Sequence, residues 1–69
     1  MDIKYEILFR LLELELLENK TRKALAFYVS LLPQHECESL TKLVKEQEDL
    51  LFSITTETYE LKEKLKHHE

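Results

Sequence analysis

The residues best suited to chemistry are a histidine and a cysteine that follow the only proline of the chain. His35 and Cys37 lie two and four residues after Pro33, and Glu36 and Glu38 are adjacent to Cys37. A structural zinc site takes its ligands from closely spaced pairs of Cys and of His, and one His-x-Cys supplies only two ligands at an unsuitable spacing. The sequence therefore predicts a solvated histidine and a buried thiol here, with no metal.

Nucleophilic catalysis is the other chemistry to test. It needs a Cys or Ser beside an oriented histidine. Ser30, Ser39 and Ser53 lie within helical patterns, and no glycine is available for a phosphate-binding loop or an oxyanion turn. His67 and His68 precede the last residue, Glu69, and are typical of a frayed tail rather than of a ligand pair. We therefore expect a non-enzymatic protein without a cofactor.

The composition limits the protein to one small domain. A chain of 69 residues has a core that rarely supplies more than about 3–5 kcal/mol, so that a crosslink, a metal or a second chain is usually needed. One cysteine excludes an internal disulfide and fits a reducing compartment, and no apolar run approaches the roughly 18–20 residues of a membrane span. We expect a single helical domain over residues 1–69, cytoplasmic, stabilised by self-association.

The fold class follows from the turn residues that are missing. Strand-rich folds of this length need several Gly, Asn or Pro turns, whereas this chain has no glycine and one proline. Pro33 predicts an all-α antiparallel hairpin with helices over about 2–32 and 35–66. The second helix carries an unbroken a/d heptad seam, typical of a coiled coil. Its members are Cys37, Leu40, Val44, Gln47, Leu51, Ile54, Thr58, Leu61 and Leu65.

Two interpretations of the first helix remain open. Residues 18–23 are six consecutive polar residues. Asn19 or Thr21 could cap a new helix and break the arm there. Alternatively, the helix is continuous and places Glu18 and Thr21 on a core line with positions 7, 11, 14, 25 and 28.

The first arm has more apolar surface than the second arm can cover. Residues 24–32 are apolar on every side of a helix, and the apolar surface of residues 3–17 extends over more than half of the cylinder. An exposed apolar area of this kind indicates an interface, which predicts a homodimeric helical bundle and a further protein partner. The predicted core and self-association residues are Ile3, Ile7, Leu11, Leu14, Leu25, Tyr28, Leu40, Val44, Leu51, Ile54 and Leu61. The predicted partner-binding residues are Tyr5, Phe9, Leu12, Leu16, Phe27, Phe52 and Tyr59.

A helical hairpin with a heptad second arm, and the tetrapeptide Cys37–Glu38–Ser39–Leu40 after its turn, resemble the Rop family of plasmid RNA-binding regulators. The resemblance implies a dimer that binds paired RNA loops through a basic, Phe-bearing face of the first helix. In this chain the corresponding strip carries Glu6, Arg10 and Glu13, mostly of the opposite charge. No functional residue of the family is therefore carried over.

We expect the function to be protein–protein binding. The chain is predicted to act as a small regulator, inhibitor or adaptor, of the kind found in phages and plasmids, that docks an apolar helical face on a larger protein. The first alternative is a Rop-like nucleic-acid-binding regulator that uses Lys20, Arg22 and Lys23, although a net charge of −4 makes nucleic acid an unfavourable partner. The second is a structural coiled-coil element of a larger assembly.

Overall fold

The protein is a hairpin of two long helices. The computed structural model describes residues 2–35 and 37–67, in which α1 (Ile3–Leu31) packs against α2 (Glu38–Lys66). The molecule measures 50 × 15 × 14 Å, with a radius of gyration of 15.7 Å, against about 11 Å expected for a globular domain of this length. The predicted all-α hairpin is confirmed, and its shape is a rod rather than a globule.

Helix α1 is continuous through the polar segment of residues 18–23, so the interpretation of a broken arm is wrong. The helix begins after Asp2, whose carboxylate accepts a hydrogen bond from the backbone N–H of Lys4 at 3.2 Å. Thr21 caps nothing and is instead buried against α2, with only 4% of its surface exposed. Core packing on both sides of this segment therefore outweighs its local preference for a cap.

The turn begins where Pro33 prevents further helix. Helix α1 ends at Leu31, whose carbonyl accepts hydrogen bonds from the backbone N–H groups of Gln34 (3.1 Å) and His35 (2.9 Å). Proline has no N–H to donate and clashes with a preceding helical turn, so the chain leaves the helix here. Glu36, which the sequence placed near the start of α2, lies outside the described residues.

Helix α2 begins at Glu38, three residues later than predicted, because Cys37 adopts an extended backbone (φ −144°, ψ 156°). Its sulfur accepts a hydrogen bond from the backbone N–H of Leu40 at 3.4 Å. Cys37 is the N-cap of α2, and it is exposed. The predicted buried thiol is therefore wrong, because the capping geometry turns the side chain back along its own helix.

The heptad seam of α2 faces α1. Leu40 and Ile54 are buried, and the seam residues from Val44 to Leu65 that lie between and beyond them are partly buried. Residues 53–58, four of which are Ile or Thr and so β-branched, are helical throughout. The Thr58 hydroxyl donates a hydrogen bond to the carbonyl of Ile54 at 2.8 Å. Together with Ile7 and Leu14 of α1, the two buried seam residues form the hydrophobic core.

Candidate interaction surface

Helix α1 carries a second apolar face on the side away from α2. We call Tyr5, Phe9, Leu12 and Leu16 the outer stripe; between 55% and 65% of each residue is exposed. Every member is two residues from buried Ile7 or Leu14 along the chain, which is about 200° around the helix axis. The outer stripe therefore points almost directly away from α2, and the hairpin cannot cover it.

The apolar segment at the end of α1 is covered on one side only. Tyr28 is partly buried, whereas Phe27 is 60% exposed and Val29 is 47% exposed. The rings of Phe27 and Tyr28 lie 6.0 Å apart at an angle of 60°, a tilted arrangement that aromatic pairs favour. Phe27 lies on the same side of α1 as the outer stripe, eleven residues beyond Leu16, and exposed Asn19 and Lys23 separate it from the stripe.

Two aromatic residues on α2 are also exposed, Phe52 at 72% and Tyr59 at 67%. They are seven residues apart and off the heptad seam, so they point to the same side of α2 without contacting the core. Phe52 borders an open groove between the helices. That groove is lined by Arg22, Leu25, Glu48, Leu51, Phe52 and Thr55.

A second open groove of about 500 Å³ lies farther along the rod. Leucine side chains of α1 line one side of the groove, and Lys62 of α2 lies on the other side. The lining residues are Leu8, Leu11, Leu12, Glu15, Glu18, Asn19, Thr58 and Lys62. Leu12 belongs to both this groove and the outer stripe, so the stripe borders a groove that also carries the polar side chains of α1 and α2.

One ion pair joins the helices at the edge of the core. The Arg10 guanidinium donates two hydrogen bonds to the Glu57 carboxylate, from Nε to Oε2 at 2.7 Å and from Nη2 to Oε1 at 3.0 Å. The Arg10 side chain, assigned by the sequence to a solvated strip, in fact bridges to α2 and also lies 3.6 Å from Glu13. These hydrogen bonds lower the pKa of Glu57 and raise that of Arg10.

Sequence reasoning overlooked Glu57, although a signal for it was present. Glu57 directly precedes seam residue Thr58 and so occupies a g position of the heptad. Charged residues at e and g positions commonly form ion pairs between helices. The heptad register therefore indicated that Glu57 could pair across the interface, but not with which residue.

The predicted core residues differ in burial. Ile7, Leu14, Leu40 and Ile54 are buried, whereas Ile3 is 52% exposed at the start of α1 and is not packed within the hairpin. The remaining core candidates are partly buried: Leu11, Leu25, Tyr28, Val44, Leu51 and Leu61. All partner-binding candidates are more than half exposed: Tyr5, Phe9, Leu12, Leu16, Phe27, Phe52 and Tyr59.

The cationic cluster of α1 is not a uniform basic patch. Lys20, Arg22 and Lys23 are exposed, but buried Thr21 lies among them and they point to different sides of the helix. The Arg22 Nε lies 2.9 Å from a carboxylate oxygen of Glu18. One of the three cations is thus already paired within its own helix.

Comparison of the chain with known protein families, with characterised proteins and with solved structures found no match. Across the ranges 2–35 and 37–67, no three His, Cys, Asp or Glu side chains gather as a metal-binding group. Neither helix within those ranges combines the length and apolar content needed to cross a membrane. Among the described residues, the exposed apolar surfaces are the features that best support a function.

Proposed function

We propose that the protein is a small non-enzymatic interaction module that regulates, inhibits or links other proteins by docking an exposed apolar helical surface. The observation that carries this proposal is the outer stripe of α1, which is more than half exposed on the side opposite α2. Monomeric soluble proteins rarely expose a contiguous apolar area of this kind without using it as an interface.

The residue types on these surfaces are those that commonly anchor a protein to a partner. Phe9, Phe52 and Tyr59 are large aromatics, the class of side chain that anchors protein interfaces when buried in a partner's pocket. The outer stripe and the Phe52/Tyr59 pair lie on different helices and point in different directions. We infer that a second copy of the chain occupies one surface and that a larger protein binds the other.

Nucleic-acid binding receives less support than protein binding. A phosphate backbone is bound by several cations along one surface. Here Arg22 is paired with Glu18, and acidic Glu13 and Glu15 precede the two lysines on α1. A steep loss of polynucleotide binding with added salt would be needed to favour this alternative.

The proposal is tested by photo-crosslinking in the cells that make the protein. A photoreactive amino acid is placed at Leu12 in one variant and at Phe52 in another. Lys45, whose side chain is 77% exposed, provides the matched position on a charged surface. We expect adducts with a second protein species from Leu12 or Phe52 and none from Lys45. Adducts only of twice the chain mass, or equal labelling at Lys45, would contradict a role in binding other proteins.

A further inference from the structure

The two open grooves between the helices are sections of one long groove. Their lining residues on α2 follow one another at spacings of three and four: Glu48, Leu51, Thr55, Thr58 and Lys62. Lining residues on α1 repeat the same spacings: Leu8, Leu11, Glu15, Glu18, Arg22 and Leu25. Such spacings keep residues on one face of a helix. We call these two rows the long groove; it extends about 25 Å along one side of the hairpin.

The floor of the long groove is mostly apolar. Leu11, Leu25 and Leu51 are partly buried there. Thr55 and Thr58 also line it, and their hydroxyl groups donate hydrogen bonds to carbonyl groups of α2 itself. Because these hydroxyl groups need no further partner, apolar side chains can cover the floor at little cost.

The rims of the long groove carry a specific pattern of charge. Three exposed charged residues form no ion pair within residues 2–35 and 37–67: Glu15 on α1, and Glu48 and Lys62 on α2. Glu48 and Lys62 are fourteen residues apart, which is about 21 Å along the helix. Glu15 lines the same section as Lys62, on the opposite rim. A bound segment is therefore favoured if it presents an acid to Lys62 and bases to Glu15 and Glu48.

The all-helical backbone favours a helix over an extended peptide in this groove. Extended peptides commonly bind by adding a strand to the edge of a sheet, and residues 2–35 and 37–67 contain no strand. The N–H and C=O groups of an extended peptide would lie on the apolar floor without partners. A helix bonds its own backbone and packs against other helices at about 8–10 Å between axes.

We propose that the long groove binds an amphipathic α-helix of a larger protein, so that the hairpin and this helix form a three-helix bundle. This inference rests on the proposed function and identifies the kind of segment that binds beside Phe52. A second copy of the chain is a poorer occupant. An outer stripe placed in this groove joins two different surfaces, and such a contact repeats from copy to copy without closing.

The test uses two synthetic helical peptides of about 17 residues, the length that covers the long groove. Both carry leucines at spacings of three and four. The matched peptide has an acid and a base two heptads apart on one edge, and a base on the other edge near the acid. The inverted peptide has every charge reversed. In fluorescence anisotropy we expect the matched peptide to bind at least tenfold more tightly, since three exposed charge pairs change sign.

Variants of the chain locate the binding. Lys62→Glu should weaken binding of the matched peptide by roughly fivefold and strengthen binding of the inverted one. Lys64→Glu, two residues farther and so about 200° around α2, should change neither. Leu8→Ala, on the α1 rim, should also weaken the matched peptide, whereas Leu16→Ala, on the outer stripe, should not. Circular dichroism melts check that each variant folds.

Several outcomes would overturn the long groove as a helix-binding site. These are no binding of the matched peptide, equal affinity for the two peptides, unchanged binding of a matched peptide with a central proline that cannot be helical, and loss of binding in Leu16→Ala. Sedimentation velocity of the chain alone provides a further check. Open-ended assemblies that the matched peptide dissolves would assign the groove to a second copy instead.

These outcomes are separable from those of the proposed function. If the matched peptide does not bind but Leu12 or Phe52 crosslinks to another protein in cells, the interaction module stands and docks through another surface. If the peptide binds as expected and neither position crosslinks to another protein, the helix-binding groove stands and the regulatory role is withdrawn.

Discussion

At the scale of single residues, Cys37 acts through its capping hydrogen bond rather than through core packing. Its sulfur accepts from the Leu40 N–H at 3.4 Å while the residue stays exposed. Thiol sulfur is a weak acceptor, and serine is among the preferred N-cap residues. Cys37→Ser is therefore expected to raise the free energy of unfolding by roughly 0.5 kcal/mol, as measured by urea denaturation.

Cys37→Ala is the control for the capping interpretation, since it removes the acceptor and keeps a small side chain. We expect it to lower the free energy of unfolding relative to wild type. If Cys37→Ser proves as destabilising as Cys37→Ala, the hydroxyl brings no benefit and the sulfur does not act as the cap.

Glu57 links stability to pH. Hydrogen bonds from Arg10 hold its pKa below the ordinary value of 4.5 in the folded protein. The unfolded chain therefore binds more protons in this range, and the stabilisation from Glu57 is present above that value and lost as pH falls through the folded pKa. We expect the Tm to fall as the pH drops below the ordinary carboxylate value of 4.5, and to fall less in Glu57→Gln.

Acid acts on the whole chain, so the informative quantity is the difference in Tm between wild type and variant. Glu60→Gln serves as the matched control on the exposed side of α2. A Tm difference between wild type and Glu57→Gln that stays constant with pH would show that the Arg10 pair does not depend on the charge of Glu57.

At the scale of elements, a continuous α1 and a helix broken at Asn19 predict opposite changes in Tm when Asn19 is replaced by alanine. Asn19 is exposed within the helix, where alanine has the better helix propensity. Asn19→Ala is therefore expected to raise the Tm, and Asn19→Gly to lower it. An N-cap at Asn19 would instead make alanine destabilising by about 1 kcal/mol. Thermal melts at one protein concentration separate the two cases.

The second helix was largely predictable because its seam repeats without interruption and no other face competes for burial. The first residue of α2 was not predictable from the sequence. It depends on the extended backbone of Cys37, and that backbone conformation depends on the path of the turn after Pro33. For α1, apolar residues lie on two opposite sides of the helix. The sequence placed Ile7 and Leu14 on the core line, and both residues are buried.

The exposed apolar surface was predictable as a set of residues but not as a geometry. Surplus apolar residues on α1 and off-seam aromatics on α2 indicated surfaces that the hairpin leaves open, and the partner-binding candidates are indeed exposed. The Arg10–Glu57 pair could not be predicted, since it depends on the rotation and axial offset of one helix against the other. Arg10 on its own helix resembles any solvated charge.

At the scale of the whole molecule, the hairpin is a thin rod with few buried side chains. Its core is a single line of contacts between two helices, so the free energy available from burial is small for a chain of this size. If a second copy occupies the outer stripe, the two α1 helices lie at the centre of the dimer and the two α2 helices lie outside. The exposed aromatics of α2 would then remain available at the rim of the assembly.

That arrangement assigns different roles to the two aromatic surfaces, and a pair of double variants distinguishes them. Phe52→Ala with Tyr59→Ala should leave helical content and the dimer dissociation constant unchanged, because both residues are more than two-thirds exposed and lie on α2. Leu12→Ala with Leu16→Ala should weaken a dimer formed through the outer stripe, because it truncates two of the four residues of that stripe. Sedimentation equilibrium and circular dichroism provide both measurements. Loss of the dimer in the Phe52/Tyr59 variant would instead place these aromatics in the self-association interface, and the outer stripe of α1 would then be the surface left for a foreign protein.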